Sequence, residues 1–171
     1  MILSDGGILK VLENRELIVS PIEENQIQPA SIDLRLDRTL LTLDGEEIDI
    51  FDETYLLQPQ EFILGSTLEY VELPNMVVGR VDGRSSIGRL GVMIHITAGY
   101  IDAGYCGNIT LEIYNVSNKP FPLKYGNRIC QLVLELLNEP CIRPYGTEGL
   151  GNKYQCSDGV VASRYEGSED K

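Results

Sequence analysis

The sequence predicts a mainly β protein, a distorted jelly roll with a few short helices, and three observations carry that expectation. Seventeen Gly and eight Pro punctuate the chain. Between them lie many short apolar runs and almost no long stretch of helical period, the pattern of sandwiches and barrels. A length of 171 residues with 43% hydrophobic content suits one core, so a single domain spanning 1–171 is expected.

In chain order, the first element is a short helix. Ser4 offers an N-cap hydroxyl ahead of Ile8, Leu9, Val11 and Leu12, and Pro21 bars a longer continuation. From Ser31 the pattern alternates, with Ile32, Leu34 and Leu36 on one face and Asp33, Arg35 and Asp37 on the other. Asp44-Gly45 marks a turn before Ile48 and Ile50. Apolar segments at Phe62–Leu68, Met76–Val81, Asn108–Tyr114 and Ile129–Leu136, separated by Gly, Pro and Asn, read as further strands. After Pro144 the composition turns to Gly, Ser and charge, ending Glu166-Gly167-Ser168-Glu169-Asp170-Lys171. Such a segment lacks the apolar content to pack alone, so a tail from about 146 is expected to stay mobile until a ligand orders it. There is no internal repeat.

Charge and cysteine usage exclude several function classes. A net charge of −12 without a Lys/Arg run argues against a nucleic acid polymer as partner. A small phosphorylated ligand stays open, because a few local cations and a metal ion can neutralise it. No stretch approaches transmembrane length, so no membrane is expected as partner. Cys106, Cys130, Cys141 and Cys156 form no CxxC pair and no signal peptide precedes them, which predicts free thiols in a reducing, cytoplasmic setting. With His95 as the sole histidine, the His/Cys/Cys set with a PCxxC motif that binds catalytic zinc cannot be assembled. His95 itself sits in the apolar run Val92-Met93-Ile94-His95-Ile96 and reads as a satisfied core residue.

Two clusters carry possible chemistry. In Gly83-Arg84-Ser85-Ser86-Ile87-Gly88-Arg89, glycines bracket hydroxyls and guanidiniums, the donor types that match phosphate oxygens. By itself this is also a polar turn into a short helix. Thr97-Ala98-Gly99-Tyr100-Ile101-Asp102-Ala103-Gly104-Tyr105-Cys106-Gly107 is a Gly-rich, hairpin-like segment with one carboxylate. Beyond it, Glu112 lies in a strand where Ile109, Leu111 and Ile113 alternate with Thr110, Glu112 and Tyr114, a position that is ordinarily solvent-facing.

Together these segments resemble the dCTP deaminase family of the dUTPase-like superfamily. The match runs through Gln28-Pro29-Ala30-Ser31-Ile32-Asp33-Leu34-Arg35-Leu36, Gly83 to Gly91, Thr97 to Gly107, Gly126-Asn127-Arg128-Ile129-Cys130-Gln131-Leu132, and Lys153-Tyr154-Gln155 with Val161-Ala162-Ser163-Arg164. Glu112, at a strand position usually apolar in dUTPases, and the Lys-Tyr form of the tail resemble the deaminase branch.

The resemblance implies zinc-independent hydrolysis of the cytosine amine with Glu112 as general base. Without zinc to acidify the water that attacks C4, a carboxylate in a poorly solvated pocket must take its proton. By the same resemblance Ser85 orients the water, with the Ala98 carbonyl as a second acceptor, and Arg89 balances the charge of Glu112 and of the intermediate. Arg84, Ser86, Ile87, Gly88, Thr110 and Leu111 belong to the implied substrate-binding set. Asp102 is implied to read the deoxyribose and its 3′-hydroxyl, Gln131 and Tyr145 to hold phosphate or sugar, and Lys153 to reach the triphosphate. Mg²⁺ would be bound through that triphosphate, with no metal ligand expected from protein side chains. Where the family commonly has glutamine this chain has Ser157, and Gln155 is the expected substitute.

Ala98-Gly99 resembles the bifunctional deaminases that take dCTP and two waters to dUMP, diphosphate and ammonia, supplying dUMP for dTMP synthesis. The absent side chain at Gly99 suggests room for a second water beside the nucleotide, with Asp102 positioning it. Also implied are a homotrimer with active sites between subunits and dTTP as a feedback inhibitor. A monofunctional deaminase releasing dUTP, a dUTPase, a non-catalytic nucleotide-binding regulator, and an enzyme for modified cytosine or monophosphate substrates remain open alternatives.

Overall fold

A computed structural model describes residues 1–165. The opening helix α1 spans Asp5–Glu13, where the Ser4 hydroxyl accepts from the Gly7 N–H and Asp5 adds a carboxylate to the first turn. It ends at the Asn14 cap, before Pro21 is reached, because Arg15 takes a left-handed conformation (φ 57°). Short strands β1 (Ile18–Ser20) and β2 (Ile27–Gln28) lead into β3 (Ser31–Arg35), followed by β4 (Thr39–Leu41) and β5 (Glu47–Asp49). The Asp44-Gly45 turn joins the last two as expected.

Next come β6 (Tyr55–Leu57), β7 (Phe62–Glu72) and β8 (Val77–Gly83), then the one-turn helix α2 (Ser85–Gly88). The rest is β9 (Val92–Met93), β10 (Tyr100–Ile101), β11 (Cys106–Asn115), β12 (Phe121–Leu123) and β13 (Arg128–Leu136). One sheet runs β5-β4-β7-β11-β9 with β1 also on β7, a second runs β10-β8-β13-β3-β2, and β6 pairs with β12. Nearly every neighbouring pair is non-sequential, which is the long-range antiparallel pairing of a jelly roll.

The two larger sheets share one core. Ile63, Leu111 and Ile113 from the first and Ile32, Leu34, Val81, Leu132 and Leu134 from the second all belong to a single buried cluster. Alternation therefore locates the inward face of β11 and β3 correctly. It misplaces Asp33, which alternation puts on the polar face but which is 3% exposed. Arg84 Nη2 and Arg128 Nη1 each lie 3.5 Å from its Oδ2, so the carboxylate is covered by cations from β8's end and β13. Glu69 on β7 is fully buried for a related reason. It accepts from Gln26 Nε2 at 2.8 Å, Arg35 Nε at 2.7 Å and the Arg35 N–H at 2.8 Å, leaving neither oxygen bare.

The segment after Pro144 is laid along the start of β11. Gly107 and Ser157 form a parallel bridge, Asn108 N donates to Ser157 O at 2.9 Å, and Val161 N donates to Thr110 Oγ1 at 3.2 Å. Tyr145, packed edge-on to Tyr105 with ring centres 5.7 Å apart, supplies the apolar anchor that composition alone does not reveal. The closing run 166–171 lies outside the described residues. Cys106 and Cys156 are joined in a disulfide, correcting the expectation of four free thiols; Cys130 and Cys141 are free. Fifty residues separate the bonded pair, and no local spacing advertises such a bond.

Candidate active site

Glu112 is aimed by the alternation of β11, which runs unbroken from Gly107 to Asn115. Pairing of β11 with β7 shifts register between Asn108 and Thr110, where Thr67–Glu69 on β7 have no partners in the ladder. The Thr67 hydroxyl repairs the gap, accepting from the Ile109 N–H at 2.9 Å and donating to Glu69 O at 2.8 Å, while Asn108 Nδ2 donates to Thr67 O at 3.0 Å. The alternation of β11 passes through this bulge undisturbed: Ile109, Leu111 and Ile113 enter the core, and Thr110 and Glu112 take the other face.

That face is not open solvent. A cavity of about 620 Å³ lies against it, within the size range of small-molecule sites, lined by Ala98, Asp102, Thr110 and Glu112 on one side. Tyr145 and the tail residues Tyr154, Ser157, Val161, Ala162 and Ser163 form another wall, with Tyr100, Tyr105, Phe62 and Leu64 adding aromatic and aliphatic surface. Glu112 is half-buried, and its Oε2 accepts the Ile96 N–H at 3.1 Å. One carboxylate oxygen is thereby fixed, and Oε1 has no partner among the described residues. Burial pushes the Tyr105 phenol well above its ordinary range, so this wall stays neutral, and its hydroxyl donates to Asn108 O at 2.8 Å.

The remaining sequence-derived candidates separate. Arg84, Ser86 and Ile87 line a second concavity of about 520 Å³ with Lys124, Asn127 and Arg128. Ser85, Gly88 and Arg89 are exposed on and beside α2 and line neither space. Leu111 points into the core, so only its backbone can face a ligand. Gln131 and Lys153 also stand outside both linings. Gln155 is committed within the chain, donating to Gly104 O at 2.9 Å and accepting the Cys106 N–H at 3.4 Å. Ser157, in contrast, does reach the cavity while its hydroxyl donates to Tyr154 O at 2.7 Å.

Two expectations around the hairpin need correction. A Cβ on Gly99 would stand 2.7 Å from Val81 O and 2.9 Å from His95 Cε1, so the glycine admits the chain's own backbone and imidazole and leaves no vacant room. His95 is half-buried against that glycine, and its buried Nδ1 has no hydrogen-bond partner among the described residues, where its apolar neighbours suggest a satisfied core residue. Tyr100, Tyr105 and Tyr154 are cavity residues that sequence reasoning did not single out by role, although all three lie inside the quoted motifs.

A family model described as dCTP deaminase-like matches residues 2–137, which contain β1 to β13, Asp102 and Glu112. The chain belongs to the dCTP deaminase-like family. A relative in that family from Coprothermobacter proteolyticus, named dCTP deaminase, dUMP-forming, is 47% identical over 96% of this chain and 96% of its own length. Among solved structures, the 2′-deoxycytidine 5′-triphosphate deaminase from Agrobacterium tumefaciens aligns with TM-score 0.70 at 24% identity. That alignment covers 80% of this chain and 48% of the other. The native EIAV dUTPase aligns with TM-score 0.55 at 21% identity, covering 77% and 98% respectively. These likenesses make the jelly roll of this deaminase-like chain a dUTPase-like one.

Proposed function

We propose that this chain converts dCTP and two waters to dUMP, diphosphate and ammonia, with Glu112 as the general base. The observation that carries this is the half-buried Glu112 carboxylate, held by the Ile96 N–H in a cavity that also presents Asp102 and Thr110. The dUMP-forming relative's near-full-length identity supports the substrate and product assignment. Glu112 takes a proton from the water that attacks C4 and delivers it to N3, where the product keeps it; the second proton of that water passes to the amino group, which leaves as ammonia as the C4 carbonyl forms. Asp102 reads the 3′-hydroxyl and positions the water that attacks the α-phosphorus, releasing diphosphate. Tyr145 contacts sugar or phosphate from the cavity wall.

Ser85, Arg84 and Arg89 enter from a second copy of the chain, which would carry its α2 segment to the Glu112 cavity in a homotrimer. The separation of these residues from Glu112 within one chain supports a shared site. There Ser85 and the Ala98 carbonyl orient the deaminating water, while Arg89 balances the developing charge. Gln131 and Lys153 serve the triphosphate. A Mg²⁺ ion would be carried on the phosphate oxygens of the nucleotide. Its contribution when bound is to neutralise the triphosphate. Zinc independence is supported by the donor set, since there is one imidazole and Cys106 and Cys156 are spent on each other. Free deoxynucleotides as substrates place the enzyme in the cytoplasm, with dTTP as its feedback inhibitor.

One observation favours a monofunctional enzyme that releases dUTP: the space beside Gly99 is already occupied by Val81 O and His95. Supplying dCTP or dUTP as sole substrate with Mg²⁺ and a zinc-selective chelator, then separating the products, distinguishes the readings. Formation of dUMP from dCTP is expected, and background ammonia from dCTP would refute the deaminase assignment.

A further inference from the structure

We propose that the Cys106–Cys156 disulfide is a redox-sensitive latch that holds the C-terminal segment as a wall of the active-site cavity, setting nucleotide affinity by its thiol–disulfide state. The inference rests on the nucleotide reading of that cavity and adds a means of control to it. Position is the first argument. Cys106 opens β11, the strand whose Thr110 and Glu112 line the cavity, and Cys156 immediately precedes Ser157, the first of the tail residues after Tyr154 to line it. The bond therefore sits where the strand and the tail that both line the cavity come together, with their Cα atoms 4.6 Å apart.

The second argument is how little else holds the tail there. Besides the Gly107–Ser157 bridge and the Gln155 side chain, which donates to Gly104 O and accepts the Cys106 N–H, the ties to β11 are single bonds: Cys156 N to Cys106 O at 2.6 Å, Asn108 N to Ser157 O at 2.9 Å, Gly159 N to Asn108 Oδ1 at 3.1 Å and Val161 N to Thr110 Oγ1 at 3.2 Å. Asp158, Ala162, Ser163 and Arg164 are exposed, so little apolar burial offsets the entropy of ordering this segment. The backbone has been shaped for the contact all the same. A Cβ on Gly107 (φ +140°) would meet Ser157 N at 2.7 Å and Ser157 O at 2.8 Å, so glycine is what lets the tail lie this close.

Access is the third argument. Cys156 is exposed while Cys106 is buried, so a reductant meets the bond from the tail side. A small dithiol supplies the electrons: its thiolate attacks one sulfur, the other leaves as a thiolate, and the second thiol of the reagent closes its own ring. Two electrons and two protons pass to the protein, leaving thiols at 106 and 156 and an oxidised dithiol. Disulfides of cytoplasmic enzymes are characteristically transient and redox-sensing, which suits such a bond at an active-site wall. Reduction turns a wall that is ordered in advance into one that the nucleotide must order, a cost taken from binding and not from the step at C4.

The test uses the full chain, air-oxidised or treated with dithiothreitol, beside Cys156→Ser. Denatured without reductant, the oxidised protein should titrate two thiols, Cys130 and Cys141, and four after reduction; four in both would overturn the latch. Trypsin cleavage after Lys153 and Arg164 should accelerate by about tenfold on reduction, as expected for release of a segment held at high effective concentration. KM for dCTP should rise by a similar factor, on the order of tenfold, with kcat within about twofold. Cys156→Ser should match the reduced protein and ignore dithiothreitol. Equal cleavage in both states, or a fall in kcat at constant KM, would overturn the proposal. Cleavage does not depend on turnover, so a protein inert toward dCTP would refute the proposed activity while proteolysis still decides the latch.

Discussion

Glu112 takes its direction from the unbroken alternation of β11 and is held by the Ile96 N–H, so its role is open to a narrow substitution. Glu112→Gln keeps the shape and removes the base. Turnover of dCTP should fall by roughly 100-fold or more, the usual worth of a general base, while calorimetry shows nucleotide binding retained. Gly99→Ala is expected to act differently. The added methyl meets Val81 O and the His95 ring, and such overpacking costs about 1–3 kcal/mol. A lowered denaturation midpoint with activity lost through displaced Ala98 is the expected result. At Glu69, exchange for Gln sets an amide N–H₂ against Gln26 and Arg35 donors and leaves the guanidinium with only the exposed Glu23 as charge partner, for about 3–5 kcal/mol in urea denaturation. The sequence makes Glu112 visible because alternation and motif agree on it. It hides Glu69 and Asp33 because their partners, Arg35 with Gln26 and Arg84 with Arg128, are brought to them only by strand pairing.

Among the elements, α1 and strands β3, β7, β8, β11 and β13 are legible, since a capping hydroxyl marks the helix and apolar runs bounded by turn residues mark the strands, with clean period-two burial in β11. The short β1, β6, β10 and β12 are not, because two or three residues carry no period and exist only by pairing with β7, β8 or each other. The tail is the clearest case of tertiary override. Its composition predicts disorder, yet Tyr145, the Gly107 bridge and a disulfide fix it. Closing a loop of 50 residues restricts the unfolded chain by an amount worth about 4 kcal/mol in the chain-entropy estimate. Because the tail has few other ties, reduction should first appear as local opening. Hydrogen exchange at the Gly159 and Val161 amides should quicken in dithiothreitol while Leu132 and Leu134 in the core strand keep their protection. Uniform acceleration across both regions would mean that the bond supports the whole fold and not the tail.

At the scale of the molecule, one chain presents two concavities: a cavity with Glu112, Asp102 and the tail, and a second with Arg84, Lys124 and Arg128. In the proposed assembly a second copy brings its cations to the Glu112 cavity of the first, which would let a chain of net charge −12 accommodate a triphosphate. Mixing Glu112→Gln with Ser85→Ala subunits should therefore restore activity that neither variant shows alone, and no restoration would place both residues in one chain's site. The central claim, that dCTP is carried to dUMP without free dUTP, is tested most directly by following ammonia, diphosphate and dUTP together in one time course from dCTP and Mg²⁺. Ammonia and diphosphate rising in equal amounts with no dUTP is the expected result; ammonia accompanied by stoichiometric dUTP and no diphosphate would contradict it.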